Sequence, residues 1–250
     1  MFWLIAHRSK LTARMQTLFT FVSPPDQCGY LPGRRWQLRY EVVGDLTPAE
    51  YAARMRAGWR RFGHSLFKPE CPECRQCRSI RVDVAGFRPS EGQRRARRRN
   101  EGEVRVEVGA PAVSAEKLAL YDKYHQFQAA TKGWPEHGGE SASDYLESFV
   151  ENPFVTQEWR YYLGDRLVGV GYVDRLPVGL SAIYFYYDPD ERGRSLGTFN
   201  LLSVIAGAAE LGLPHVYLGY FVAGCRSLEY KAKFRPNEVL EVGTWKPFAG

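Results

Sequence analysis

No apolar run in this sequence approaches the roughly 20 residues that cross a bilayer, so it reads as a chain with no membrane association. The opening Met1-Phe-Trp-Leu-Ile-Ala6 is too short for a signal-peptide core, and no basic region precedes it. Cysteine is scarce, with 5 in 250 residues. Without an export signal, the expectation is a cytoplasmic protein whose cysteines are thiols or metal ligands rather than disulfides. There is no internal repeat, and the only low-complexity stretch is a run of arginines.

What is present is size, aromatic surface and positive charge. A chain of 250 residues buries a real core, as one large domain or two small ones. Aromatic residues make up 14% and offer flat faces for packing or for stacking bases. A net charge of +6 favours a polyanionic partner.

The stretch 181–203 predicts strand, polar turn and helix. Ile183, Phe185 and Tyr187 alternate with Ala182, Tyr184 and Tyr186. Asp188-Pro189-Asp190 ends the strand, because proline cannot continue a ladder. A helix follows over about 195–211, with Leu196, Phe199, Leu202 and Ile205 as its apolar positions. Its start contains Arg192, Gly193, Arg194, Ser195 and Gly197, and free N–H groups there favour an anion. An ordinary strand-to-helix turn accounts for the same residues.

Upstream, Thr47-Pro48-Ala49-Glu50 opens a helix with an apolar stripe of Tyr51, Met55, Trp59 and Phe62. Arg54, Arg56, Arg60 and Arg61 read as its solvated face. Ser90-Glu-Gly-Gln93 is a second capping box. It starts a helix whose Arg94, Arg95, Arg97, Arg98 and Arg99 repel one another, with no apolar stripe to pack it, and a contact to a phosphate backbone explains that cluster. Cys71, Cys74 and Cys77 are spaced C-x2-C-x2-C, and with Cys28 they would complete a structural zinc or iron–sulfur site. Cys225 reads as a distant free thiol. From residue 104 the predicted order is a helix pair, antiparallel strands at 155–163, 167–173 and 180–187, the 195–211 helix, a strand at 215–218, a helix from Cys225 to Lys231 and a weak tail. This is an α+β order of GNAT type.

Arg-x-x-Ser-x-Gly at 192–197 resembles the acyl-CoA loop of GNAT acyltransferases, with Ser195 in place of the first glycine. The whole set of motifs resembles the arginyl-tRNA–protein transferase family in its short bacterial branch. The motifs are Cys28-Gly-Tyr-Leu-Pro-Gly33, Cys74-Arg-Gln-Cys77, Ile80-Arg81-Val82, Phe87-Arg-Pro-Ser90 and Gln93-Arg-Arg95. In the second half they are Tyr184-Phe-Tyr-Tyr-Asp188-Pro, Arg194-Ser-Leu-Gly197, Tyr217-Leu-Gly-Tyr220, Cys225, Tyr230-Lys231, Lys233-Phe234 and Pro236. Leu31 stands where the eukaryotic members carry a second cysteine.

The resemblance implies a GNAT-like catalytic domain at 104–250 behind a smaller cysteine-containing α+β region at 1–103. It implies transfer of an aminoacyl group, Leu or secondly Arg, from charged tRNA to the α-amine of proteins beginning with Asp or Glu, which marks them for degradation. The chemistry would need no cofactor, and the enzyme would be a monomer. The five arginines of 94–99 would hold tRNA phosphates. Arg81, Arg194, Arg226, Lys231 or Lys233 would face the acidic side chain. Asp188 or Glu229 would accept the proton, and Tyr184, Tyr186 or Tyr187 would stabilise the oxyanion or stack on the terminal adenine. The competing readings are an acyl-CoA N-acyltransferase and a non-catalytic RNA-binding module with a zinc knuckle.

Overall fold

The structure is a computed structural model and describes residues 15–248, so the opening hexad lies outside the described residues. Strand β1 (Thr17–Val22) is followed by a two-stranded ribbon, β2 (Asp26–Gln27) and β3 (Arg35–Trp36), whose turn carries Cys28-Gly-Tyr-Leu-Pro-Gly33. After β4 (Leu38–Val43) comes α1 (Pro48–Arg56). The Thr47 side chain caps α1 by accepting the Glu50 N–H, and Glu50 reaches back to the cap. Strands β5 (Arg60–Phe62) and β6 (Ser65–Pro69) complete an antiparallel sheet in the order β1-β4-β6-β5.

The second sheet collects the remaining strands. They are β7 (Arg78–Asp83), β8 (Val104–Gly109), β9 (Thr156–Leu163), β10 (Arg166–Leu176), β11 (Gly179–Tyr187), β12 (His215–Phe221), β13 (Asn237–Glu241) and β14 (Thr244–Pro247). Their order is β14-β13-β7-β12-β11-β10-β9-β8. Helix α2 (Glu91–Asn100) lies between β7 and β8 in sequence, and α3 (Ala115–Lys132) and α4 (Ala142–Tyr145) lie between β8 and β9. Helix α5 (Leu196–Glu210) joins β11 to β12, and α6 (Arg226–Glu229) follows β12. The expected α+β class is present, and Gly164-Asp165 makes the hairpin turn between β9 and β10.

Three details depart from the sequence reading. Strand β7, from the first 103 residues, pairs with β12 on one side and β13 on the other, so a boundary at 103/104 does not separate the sheets. The weak tail is a paired hairpin, β13–β14. The helix expected over 225–231 stops at Glu229, and Tyr230–Lys233 continues as a 3-10 turn.

Side-chain alternation divides the core. On one face of the large sheet Val216 and Leu218 pack with Val204, Ile205 and Ala208 of α5. On the other, Tyr172 and Tyr186 pack with Leu120 and Tyr124 of α3. A third cluster joins Tyr51 and Met55 of α1 to Leu176 and Tyr217, seating the small sheet against the large one.

Strand β11 is irregular in two ways. Val173 pairs with Ala182 and Tyr172 with Tyr184, leaving Ile183 unopposed in a bulge. The extra residue resets the alternation, so Tyr184 and Tyr186 join the α3 face and Phe185 the α5 face. In addition, β11 and β12 are the parallel pair of this sheet and share only the pairs Leu180↔Val216 and Ser181↔Tyr217. Beyond Ser181 the two strands splay, and backbone groups inside the protein lose their ladder partners.

Candidate functional site

Two cations fill the root of this wedge. Arg60, at the start of β5, donates from Nη2 to the Ala182 carbonyl at 2.7 Å and from Nη1 to Ser181 Oγ at 3.3 Å. Its guanidinium reaches across to β12, where Gly219 has φ +87° and an added Cβ would lie 3.4 Å from Arg60 Nε. Lys231 donates from Nζ to the Tyr220 carbonyl at 2.8 Å. Both side chains are buried, yet the carboxylate whose field reaches Arg60, Asp174, is already gripped by Arg61 at 2.8 Å. Burial, aided by the charge of Arg60 and opposed by Cys225, lowers Lys231 to about 7. Arg60 is also lowered by burial. Arg60 and Arg61 were expected on a solvated helix face. The helix ends at Arg56, and both belong to an inward-turned strand.

Beside the wedge, Phe62 of β5 packs edge-on against Tyr184 at 6.3 Å between ring centroids. Tyr184 Oη lies 2.7 Å from His125 Nε2, and His125 Nδ1 lies 2.9 Å from the Tyr121 carbonyl. A carbonyl only accepts, so Nδ1 carries the hydrogen and Nε2 accepts from the tyrosine hydroxyl. Burial, with His137 nearby, lowers the His125 pKa and keeps the ring neutral. His137 in turn pairs with Asp122 at 2.7 Å. Neither Arg60 nor His125 was singled out from sequence. Each is a single polar residue in an element whose inner face only the tertiary packing defines.

The arginine helix packs against the turn before α5. Buried Gln93, Ala96 and Asn100 form an inward stripe, three and four residues apart. Gln93 Nε2 donates to the Lys233 carbonyl at 3.1 Å, and Asn100 Nδ2 to the Arg194 carbonyl at 2.8 Å. The expected lack of a packing stripe is therefore corrected: amides and one alanine hold the helix where apolar residues usually would. Arg94, Arg95, Arg97, Arg98 and Arg99 all face solvent. Arg99 also donates to the Gly193 carbonyl, which ties 94–99 to the turn before α5. Between the N-termini of α2 and α5 lies a cavity of about 270 Å³, lined by Ser90, Gly92, Ser195, Thr198, Tyr230 and Lys233. Ser195 has φ +58°, a left-handed conformation that starts α5 one residue later. Tyr230 and Lys233 line the cavity, whereas Lys231 on the same turn enters the wedge.

Other expected site residues serve the scaffold. Both Asp188 oxygens are engaged, by Lys123 and Arg166 at 2.6 Å each and by the Asp190 N–H at 3.0 Å. The carboxylate caps the turn through the Asp190 N–H and is paired with two cations. Tyr186 is fully buried and shares hydrogen bonds with Tyr145, away from the wedge. Glu229 is exposed and accepts the Gly224 N–H at 2.7 Å. Arg81 pairs with Glu238 at 2.7 Å and lies over the Trp245 ring. Arg194 bridges Glu191 and Glu103, both at 2.9 Å. Arg226 is exposed on α6.

The cysteines are all free. Cys28, Cys71, Cys74 and Cys77 line one cavity of about 20 Å³, as their spacing suggested. Cys225 is not distant: burial, joined by the other four thiols with Cys225 among them, pushes Cys77 up to about 12. Yet among the described residues no group of three or more His, Cys, Asp or Glu side chains is placed to hold a metal ion. The thiols answer to local backbone instead. Cys28 Sγ accepts the Tyr30 N–H at 3.4 Å, and Cys71 Sγ points at the Gln37 carbonyl at 3.7 Å. The expected zinc or iron–sulfur site does not fit this arrangement. Among the described residues no helix is long and apolar enough to cross a membrane.

Residues 26–95 match the family described as arginine-tRNA-protein transferase, N terminus, and residues 116–241 match its C terminus. An aspartate/glutamate leucyltransferase of Campylobacter jejuni is 38% identical over 223 residues, 88% of this chain and 92% of that one. A protein of the same name from Chromobacterium violaceum is 35% identical over 243 residues, covering 97% and 98%. Another, from Helicobacter hepaticus, is 34% identical over 225 residues, covering 90% and 92%.

Proposed function

This chain belongs to the arginine-tRNA-protein transferase family, and on that premise we propose that it moves a leucyl group from charged tRNA to the α-amine of proteins beginning with Asp or Glu. It is an aminoacyltransferase. The product carries a new N-terminal residue that marks it for degradation in the cytoplasm. The splayed parallel pair β11 and β12, bridged by α5, supports a GNAT-like architecture for the catalytic half.

The observation that carries the reading is the docking of the basic helix on the turn before α5. It sets five exposed guanidinium groups beside a cavity at two helix N-termini, where a polyanion's end is attracted by charge and by free N–H groups. The tRNA backbone lies along α2, and its 3′ terminus enters this cavity toward Lys233 and Tyr230, the latter offering a face for the terminal base. The ester is already activated, so positioning supplies most of the rate. The acceptor nitrogen attacks the ester carbonyl carbon, the bond to the ribose oxygen breaks, and an amide forms. One proton leaves the amine and one arrives at the ribose oxygen. Neutral His125, reached through the Tyr184 hydroxyl, is the acceptor this site offers for that proton.

The test is transfer from separately charged leucyl- and arginyl-tRNA to peptides starting with Asp, Glu or Ala. Transfer of leucine to the acidic peptides alone is expected. No transfer from either tRNA, with acylation from an acyl-CoA, overturns the reading in favour of a conventional N-acyltransferase.

A further inference from the structure

Arg60 and Lys231 are buried positive groups with no acid of their own. Arg60 is 7% exposed and Lys231 9%. A buried charge without a counter-ion is costly, and natural proteins keep one mainly where something pairs with it. Each also has hydrogen-bonding capacity left. Of the five guanidinium N–H groups, Arg60 commits one to Ser181 Oγ and one to the Ala182 carbonyl. Of three ammonium N–H groups, Lys231 commits one to the Tyr220 carbonyl. Arg60 bonds to β11 and Lys231 to β12, on opposite lips of the splay, and Arg60 lies on the same side of β11 as Tyr184, since Arg60 and Phe62 of one strand contact Ser181 and Tyr184.

We propose that Arg60 and Lys231 are the receptor for the side-chain carboxylate of the acceptor's first residue, holding its α-amine toward Tyr184 and His125. The inference rests on the proposed transfer reaction and adds the residues that make it selective for acids. A planar carboxylate matches the guanidinium fork, and the ammonium supplies a point charge from the other lip. The exposed arginines of α2 suit a phosphodiester chain. The wedge, nearly closed to solvent, suits a small anion brought in on a peptide end.

The experiment compares peptides differing only as Asp against Asn, and Glu against Gln, at the first position. Wild-type protein, Arg60→Gln, Arg60→Lys and Lys231→Met are assayed with saturating leucyl-tRNA. In Arg60→Gln the kcat/KM preference for Asp over Asn is expected to fall by about 100-fold, mostly through KM for the peptide. KM for leucyl-tRNA should stay unchanged, Arg60→Lys should recover part of the preference, and Lys231→Met should lower it in the same direction. An equal fall for Asp and Asn peptides, with the preference intact, overturns the proposal and leaves Arg60 a strand-bridging residue. Should the variants misfold by near-ultraviolet circular dichroism, the wild type decides alone. Calorimetry in two buffers near pH 8 should show proton uptake when the Asp peptide binds and none with Asn, and equal uptake refutes the receptor. Absence of transfer by wild-type protein to every peptide is a different result, because it removes the transferase reading itself.

Discussion

Replacing Arg61 with methionine removes the strongest single tie between the two sheets. Arg61 uses all five donors: Nε and Nη2 to the two Asp174 oxygens at 2.8 Å each, Nη2 also to Thr156 Oγ1 at 2.8 Å, and Nη1 to the Gly63 carbonyl at 2.7 Å and Asn152 Oδ1 at 2.5 Å. The side chains of Arg61 and Asp174 are 1% and 0% exposed. Losing one partner leaves a carboxylate buried and unpaired, which costs about 3–5 kcal/mol. That is a large share of the roughly 5–15 kcal/mol that holds a domain folded. At this chain length the midpoint should fall by about 6–20 °C, taking about 2–4 °C per kcal/mol. Thermal unfolding followed by circular dichroism measures the midpoint, and urea unfolding the free energy. The double change Arg61→Met with Asp174→Leu should cost clearly less than the sum of the two single changes, because no orphan charge remains. A loss below about 1 kcal/mol for Arg61→Met, the range of exposed pairs, refutes the reasoning. Transfer should weaken as well, since Arg60 is the adjacent residue of β5 and depends on the same docking.

The same geometry sets further outcomes. Lys231 is lowered from its ordinary 10.5 to about 7 by burial and by Arg60, so between those values the unfolded chain binds more protons than the folded one. Stability should therefore rise with pH across that window by up to about 1.4 kcal/mol per unit, and Lys231→Met should flatten the slope in urea titrations. In kinetics, kcat/KM for Asp peptides should trace a bell. It rises as the α-amine loses its proton near about 8 and falls as free Lys231 loses its own, and a monotonic rise refutes the second limb. Arg95→Ala with Arg98→Ala should raise KM for charged tRNA and reduce the slope of log affinity against log salt by about 0.7–0.9 per lost contact, while KM for the peptide holds. Ser90→Ala should destabilise the protein by about 1 kcal/mol, because the Ser90 side chain accepts the Gln93 N–H and begins the helix that carries those arginines.

Local chemistry determined much of this protein from sequence. Thr47 and Ser90 cap the helices they were expected to cap, because a hydroxyl at the first turn satisfies an N–H wherever the helix lies. Gly164-Asp165 makes its hairpin turn, and the one-sided arginines of 94–99 remain on the surface because desolvating five like charges is prohibitive. Cys71, Cys74 and Cys77 share one neighbourhood in any fold because they lie within seven positions, whereas packing brings Cys28 to them. Tertiary structure decided the rest. The bulge at Ile183 sets Tyr184 and Tyr186 on the opposite face from Ala182, and periodicity cannot reveal an inserted residue. Asp188 is paired with two cations because Lys123 and Arg166, distant in sequence, converge on it. Arg60 looked like one more surface arginine. Only the early parting of β11 from β12 creates unpaired carbonyls that call a cation inward, and strand splay is a property of two segments more than thirty residues apart.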